Sequence, residues 1–146
     1  MITKAFYYIF LMPISLSPYP VVYLISDFLF VILYRLFSYR KRIVLSNLQH
    51  SFPNKSTEEL KIIMSDFYRH FCDLIMESIK GFTISEKQLR KRVIIKNPEF
   101  LNYYADKGQS IILVGGHYNN WEICVQAFSM YSHHKCMAIY KPLSNT

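Results

Sequence analysis

The sequence lacks the cysteine pattern from which a disulfide framework or a zinc site is built. Its three cysteines, Cys72, Cys124 and Cys136, are odd in number and far apart, and no CxxC pair occurs. A reducing setting such as the cytoplasmic face of a membrane is therefore expected. His133 and His134 stand close to Cys136, but no fourth ligand or CxxC partner lies nearby, so we predict no metal site.

Other absences exclude further classes of protein. No nucleic-acid-binding motif, internal repeat or low-complexity segment is present. Acidic residues are few, with ten Asp and Glu against 17 Lys and Arg and a net charge of +7, whereas 51% of residues are hydrophobic and 16% aromatic. This combination is typical neither of a disordered basic tail nor of an ordinary soluble domain. It favours an anionic membrane surface or an acidic carrier protein as partner, and we predict no nucleic-acid partner.

The N-terminal region carries no charge from Ala5 to Ser26, and residues 21–37 are strongly apolar. It lacks the roughly 20 uninterrupted apolar residues of a clean membrane span, and it lacks a signal-peptide cleavage site. Asp27 would be costly at mid-bilayer. We predict a helix or a broken helical pair lying in the inner leaflet, with a buried core helix and a single span as the alternatives. Arg35 and the cluster at residues 40–42 would then face the cytoplasm.

The middle of the chain has the pattern of a long helix. Ser56 and Glu59 form a capping box at its start, and Gly81 is a fitting stop. His70 and Asp73 share this helix, and we interpret them as surface or helix-packing residues rather than as a site. The apolar positions predicted to form its buried face are Leu60, Ile63, Phe67, Phe71, Leu74, Ile75 and Ile79.

The remainder alternates short apolar runs with helical patterns. A short helix capped by Ser85 precedes the first of three predicted strands, and helices at 99–107 and 122–132 separate the strands. Such alternation implies right-handed βαβ units. The predicted fold class is therefore α/β, with a mostly parallel sheet flanked by helices and an N-terminal apolar, membrane-associating helical arm. The strands are predicted at residues 93–95, 110–114 and 136–140.

One stretch concentrates the chemistry: Gly115-Gly116-His117-Tyr118-Asn119-Asn120-Trp121-Glu122. It lies between a predicted strand and a predicted helix, at the carboxyl end of the strand, where open α/β sheets bind ligands. The glycines permit positive φ or close approach to a ligand, and the two asparagines tolerate the left-handed conformation and can cap a helix.

The histidine and the carboxylate of this stretch are five residues apart, which would place them about 140° apart on one helix. His117 must therefore lie in the turn and Glu122 in the first helical turn if the two are to meet. Glu122 would then orient the imidazole, and the other ring nitrogen would take a proton from a hydroxyl. No Ser or Cys nucleophile stands between them, so the arrangement suits direct attack by a substrate alcohol. A covalent acyl enzyme on Cys124 is the alternative, although a small buried cysteine is the commoner interpretation.

Gly-His-Tyr-Asn-Asn-Trp-Glu, preceded by Ile-Ile-Leu-Val-Gly, resembles the histidine-x4-acid motif of the lysophospholipid acyltransferase superfamily, and most closely the late lipid A acyltransferases. Two further stretches, 39–53 with Tyr-Arg-Lys-Arg and 140–145 with Tyr-Lys-Pro-Leu-Ser-Asn, are similar to other segments of that family. The sequence departs from many relatives at Asn119, where they have Gly, and at Lys141, where they have Arg.

The resemblance implies an acyltransferase that needs no cofactor. Its donor would be an acyl carrier protein thioester or acyl-CoA, and its acceptor a lipid A precursor or another lipid, such as a lysophospholipid, an aminolipid or a pigment alcohol. His117 would be the general base and Glu122 its partner, at the cytoplasmic face of the inner membrane. The residues that would bind substrate are Gly116, Tyr118, Asn120, Trp121 and Lys141.

The resemblance covers only the N-terminal part of the family. We therefore expect residues 1–42 to form membrane-associating helices and residues 43–146 to form the N-terminal part of an α/β acyltransferase domain, so that the chain is a truncated one. The competing interpretation is a non-catalytic, membrane-bound fragment.

Overall fold

The computed structural model describes residues 2–139, with side chains from residue 4 onward. The chain divides between Ile84 and Ser85 into two compact units. Eight α-helices account for the regular structure of the described residues, together with two π-helical segments: α1 (Ile2–Phe6), α2 (Met12–Leu16), α3 (Tyr19–Phe30), α4 (Lys41–Ser51), α5 (Thr57–Lys80), α6 (Glu86–Arg92), α7 (Pro98–Asp106) and α8 (Trp121–Phe128), with π-helical turns at Tyr7–Leu11 and Val31–Leu36.

The N-terminal unit begins with a broken helical pair, as the proline positions predict. Pro13 and Pro20 lie at the starts of α2 and α3, where a missing N–H costs little. Pro18, in an extended conformation, separates the two helices. The helical run Tyr19–Leu36 is long and apolar enough to cross a membrane by length and composition, with a mean hydropathy of 1.6.

Helix α5 is the longest element, and other helices of the N-terminal unit pack along it. Its capping box is formed as predicted, with Ser56 Oγ accepting from the Glu59 N–H at 3.2 Å and Glu59 Oε2 accepting from the Ser56 N–H at 2.8 Å. The prediction of its buried face is only partly right, since Phe67 is 44% exposed. The fully buried positions recur every four residues: Leu60, Met64, Tyr68, Cys72, Met76 and Lys80.

This four-residue spacing has a geometric reason. Each step of four residues advances about 40° around a helix, so the buried row winds around α5 as the chain proceeds. Its partners change accordingly, with α4 and the α3 C-terminus near Tyr68 and the end of α2 near Lys80. A single straight stripe could not meet partners that lie at different angles around the helix.

The α3–α5 contact has an apolar cluster at one end and two side-chain hydrogen bonds further along. Phe30 packs with Met64 and Cys72 of α5 in the main core cluster. Further along, Ser26 Oγ donates to Asp73 Oδ1 at 2.6 Å and Tyr23 Oη donates to Glu77 Oε1 at 2.5 Å. The interpretation of Asp73 as a helix-packing residue is thereby confirmed.

The C-terminal unit contains α6, α7 and α8. Ser85 caps α6 through a second capping box with Gln88. Gly108 lies two residues after the end of α7 and has the left-handed conformation, with φ +68°, as its position predicts. Helix α8 ends at Phe128, four residues before the predicted end, and turns follow it.

The predicted α/β fold is wrong for the structure. No strand occurs among residues 2–139, and the segments 93–95, 110–114 and 136–139 are irregular. Val93 of the first run is buried, whereas Ile112 of the second and Met137 of the third are 92% and 97% exposed. An apolar run indicates a tendency to be buried, but a strand also needs a partner for its backbone groups.

At Val93 those groups are already engaged by other partners. Its N–H donates to the Leu89 carbonyl at 2.9 Å, continuing α6, and its carbonyl accepts from Tyr131 Oη at 2.8 Å. Neither group is free to form a hydrogen bond with a neighbouring strand. The remaining member of the third predicted strand, Tyr140, lies outside the described residues.

Candidate active site

The stretch from Gly115 to Glu122 is a loop that leads into α8. Asn119 has φ +53°, which confirms the predicted left-handed position. Asn120 is the N-cap, and its side-chain oxygen accepts a hydrogen bond of 3.2 Å from the Ile123 N–H, as the asparagine pair predicts. Neither Gly115 nor Gly116 has positive φ, and no atom lies within 4 Å of a Cβ built on either. The reversal of the chain therefore depends on Asn119 rather than on the glycines.

His117 and Glu122 occupy the two kinds of backbone that their spacing requires. His117 lies in the irregular loop and Glu122 in the first turn of α8, so the two are not held on opposite sides of one helix. Both side chains are exposed to solvent. The expected hydrogen bond between them stays a prediction.

The imidazole of His117 packs against Trp121. The ring centroids are 4.5 Å apart and the planes meet at 68°, an edge-to-face arrangement. Contacts of this kind stabilise an aromatic pair by about 0.5–1.5 kcal/mol beyond the area they bury. Because Trp121 is the first residue of α8, this contact ties the loop histidine to the start of the helix that carries Glu122.

The residues predicted to bind substrate lie in different settings. Gly116 and Tyr118 belong to the exposed loop, and the Tyr118 side chain is 87% exposed. Asn120 and Trp121 are held by the cap and by the contact with His117. Lys141 lies outside the described residues. Their roles toward substrate stay predictions.

Cys124, the alternative nucleophile, is exposed on α8, so its interpretation as a small buried cysteine is wrong. The buried cysteine is Cys72 in the core of the N-terminal unit. Burial raises the pKa of the Cys72 thiol, and the nearby Asp73 carboxylate raises it further.

Sequence reasoning missed a second pairing of histidine with carboxylate. His133 Nδ1 lies 2.9 Å from Asp106 Oδ1, and the His133 N–H donates to Asn102 Oδ1 at 2.9 Å. The pair joins the end of α7 to the turn after α8, and only the acidic end of α7 and the histidine doublet signal it in the sequence. Both side chains are more than half exposed, so the pair adds little stability and has no enclosed site around it.

No group of three or more potential metal-ligating side chains occurs within the part of the chain that the structure describes.

The family model described as bacterial lipid A biosynthesis acyltransferase matches residues 1–146. Comparison with curated proteins and with solved structures finds no significant match.

Proposed function

The chain belongs to the bacterial lipid A biosynthesis acyltransferase family, and from that premise we propose that it transfers a fatty acyl chain from a carrier thioester to a hydroxyl of a lipid A precursor. The carrier is an acyl carrier protein or, as the second possibility, coenzyme A. The net charge of +7 suits an acidic carrier. Residues 43–146 are assigned to the acyltransferase domain and residues 1–42 to membrane association.

The observation that carries the proposal is the backbone placement of the histidine and the acid. His117 lies in a loop stabilised by the Asn120 cap, and Glu122 follows on the first turn of α8. This placement supports a base whose tautomer is set by a carboxylate. It does not require a covalent intermediate on a serine or cysteine.

In the proposed step, His117 takes the proton of the acceptor hydroxyl while the oxygen attacks the thioester carbonyl. Glu122 stabilises the imidazolium that forms. Collapse of the tetrahedral intermediate breaks the C–S bond, and the thiolate receives the proton from His117. The backbone N–H groups from Asn119 to Trp121 are proposed to stabilise the oxyanion.

Substrate binding is assigned to the same loop and to one later residue. Gly116 leaves room for close approach of a ligand, since nothing lies within 4 Å of its Cβ position. Tyr118 and Trp121 would contact the acyl chain, and Asn120 would hold the turn. Lys141 would contact a phosphate of the acceptor as a point charge.

We place the protein at the cytoplasmic face of the inner membrane, with its apolar N-terminal helices at the surface of the bilayer. The contacts of Ser26 with Asp73 and of Tyr23 with Glu77 support this arrangement over a single span. A helix that crossed the bilayer while keeping these contacts would carry the charged residues of α5 with it, at high cost.

Mass spectrometry of lipid A tests the function directly. The locus is deleted from the source cells and restored as wild type, His117→Ala, Glu122→Ala or His133→Ala. We expect deletion to remove one acyl chain, and wild type and His133→Ala to restore it. His133→Ala is the matched control, because it removes an exposed histidine that is also close to a carboxylate.

The outcomes separate the alternatives. Rescue by His117→Ala would overturn the proposed base, and unchanged lipid A on deletion would overturn the lipid A acceptor. In the latter case, comparison of total lipid extracts would identify another acylated acceptor, and an unchanged extract would favour a non-catalytic membrane protein.

A further inference from the structure

A groove between α4 and α5 has no role in the proposed reaction. It belongs to the N-terminal unit and has a volume of about 220 Å³. Its walls are mostly apolar, with Ile43 and Val44 from α4 and Phe67 and Phe71 from α5. This volume is below the roughly 300–1,000 Å³ of pockets that enclose drug-sized ligands, so it suits one narrow chain rather than a bulky group.

The lining of the groove includes a positive charge. Arg40 and Tyr39 both line it, and the Arg40 guanidinium lies 5.7 Å from the centre of the Tyr39 ring. Tyr68 Oη donates to the backbone carbonyl of Tyr39 and so fixes this part of the lining to the core. Within residues 2–139, Arg40 forms no ion pair with a carboxylate. Its charge is therefore available to an anion from outside the chain.

The backbone at Arg40 is unusual. Its φ is +52°, in the left-handed region that non-glycine residues seldom adopt, and its carbonyl accepts hydrogen bonds from the N–H groups of Ile43 and Val44. A strained position of this kind costs on the order of 1–3 kcal/mol and persists where the surroundings determine it. Here the residue held in this conformation lines a mostly apolar groove.

The charge of the adjoining sequence extends the same pattern. From Phe28 to Thr57 the chain has five Lys and Arg residues and neither Asp nor Glu. Leu36 and Phe37, at the end of the apolar helical run and shortly before Arg40 in the sequence, are 70% and 75% exposed. Exposed apolar side chains followed by cations match the boundary between the acyl chains and the head groups of an anionic membrane.

We propose that this groove binds one acyl chain of an anionic phospholipid of the bilayer, with Arg40 on the phosphate of its head group. A mostly apolar groove, lined also by a guanidinium that has no carboxylate partner among residues 2–139, complements an amphiphile with one apolar chain and one anionic group. The site lies in the N-terminal unit, apart in sequence from His117, and it requires no acyl transfer.

Native mass spectrometry of the full chain released from nanodiscs tests the proposal. The nanodiscs contain equal parts of phosphatidylcholine, phosphatidylethanolamine and phosphatidylglycerol. We expect wild type to retain one phosphatidylglycerol in preference to the other two lipids. Arg40→Gln removes a charge-assisted hydrogen bond and should reduce this retention about tenfold or more. Ile43→Trp should abolish it by filling the groove, since Ile43 is 55% exposed and can be enlarged without entering the core.

Arg42→Gln is the matched control. It removes the same charge at a position two residues from Arg40, and the Arg42 side chain does not line the groove. It should reduce retention by no more than about fivefold, the effect of one cation near an anionic surface. Circular dichroism of each variant checks that the helices form. His117→Ala should retain the lipid as wild type does, so this result is independent of the proposed reaction.

Four outcomes would overturn the proposal. Equal retention of phosphatidylethanolamine by wild type would show that the anionic head group is not recognised. Equal losses in Arg42→Gln and Arg40→Gln would show diffuse charge attraction. Retention by folded Ile43→Trp would exclude the groove as the chain site. Preferential retention of a lipid A precursor from nanodiscs made with native membrane lipids would make the groove an acceptor subsite instead.

Discussion

The ammonium group of Lys80, at the end of α5, donates a hydrogen bond of 2.7 Å to the backbone carbonyl of Ser15. The same group donates to the Ser17 carbonyl at 2.9 Å and lies 5.5 Å from the centre of the Tyr19 ring. Lys80 is only 5% exposed. The Ser17 N–H donates to the Pro13 and Ile14 carbonyls, so Lys80 provides a donor for a later carbonyl of α2. A cation there also complements the helix dipole.

Lys80→Met should destabilise the N-terminal unit while keeping a side chain of similar length. It removes the Lys80 donor from the Ser17 carbonyl and leaves the Ser15 carbonyl with Thr83 Oγ1 as its side-chain donor. We expect a loss of about 2 kcal/mol in the free energy of unfolding, measured by denaturant titration with circular dichroism. Lys61→Met, at an exposed position on the same helix, is the control. Equal midpoints for the two variants would show that the buried contacts contribute nothing.

The Glu59 carboxylate should make stability depend on pH. The hydrogen bond from the Ser56 backbone N–H, helped by Lys55, holds the pKa of Glu59 below its usual value. A depressed folded-state pKa gives stability that is complete above the unfolded value of about 4.3 and is lost as pH falls through the folded value. The stability difference between wild type and Glu59→Gln should therefore be largest near neutral pH and shrink in acid. Glu58→Gln controls for the loss of one charge in the same turn, and a difference that grows in acid would contradict the prediction.

The three cysteines should react with an alkylating agent in a definite order. Cys124 and Cys136 are exposed, whereas Cys72 is buried and its thiol pKa is raised. Iodoacetamide at neutral pH should modify the two exposed thiols and leave Cys72 intact until denaturant is added. Peptide mass spectrometry measures each site. Early alkylation of Cys72 in the folded protein would mean that the α3–α5 core is open.

Position 119 should accept glycine but not a β-branched residue. Asn119 has φ +53°, where glycine has no steric cost and valine is strongly strained. Asn119→Gly should keep full activity, whereas Asn119→Val should destabilise the loop by about 1–2 kcal/mol and reduce turnover. Restoration of lipid A acylation by each variant is the measurement. Full rescue by Asn119→Val would show that the left-handed turn is dispensable.

Loss of either proposed catalytic side chain should lower the rate of acyl transfer without affecting membrane association. His117→Ala should lower the rate of acyl transfer by about 10²–10⁴-fold, the usual contribution of a positioned base. Glu122→Ala should also cripple turnover, since the imidazolium loses its partner, and both variants should still associate with membranes. Turnover of purified protein with an acyl carrier thioester measures the first effect, and flotation with vesicles measures the second. Turnover of Glu122→Ala at the wild-type rate would exclude its role as the partner of His117.

Local chemistry made part of this protein predictable. The caps of α5, α6 and α8 depend on Ser56, Ser85 and Asn120, each of which accepts a hydrogen bond from the N–H three residues later. The left-handed backbone at Asn119 is likewise a local property, because asparagine tolerates positive φ. Donor, acceptor and backbone conformation lie within four residues, so the sequence determines them. The motif at residues 115–122 likewise led to the family that the comparison then confirmed.

Tertiary structure alone decided which side chains are buried and which apolar runs remain unpaired. Tyr68 rather than Phe67 enters the core because α3 and α4 approach α5 at angles that the spacing of its own residues does not specify. Val93 does not join a strand because its carbonyl accepts from Tyr131, 38 residues further along the chain. Such contacts depend on which distant groups meet after the chain has closed its loops, and a local pattern of apolar residues carries no information on that choice.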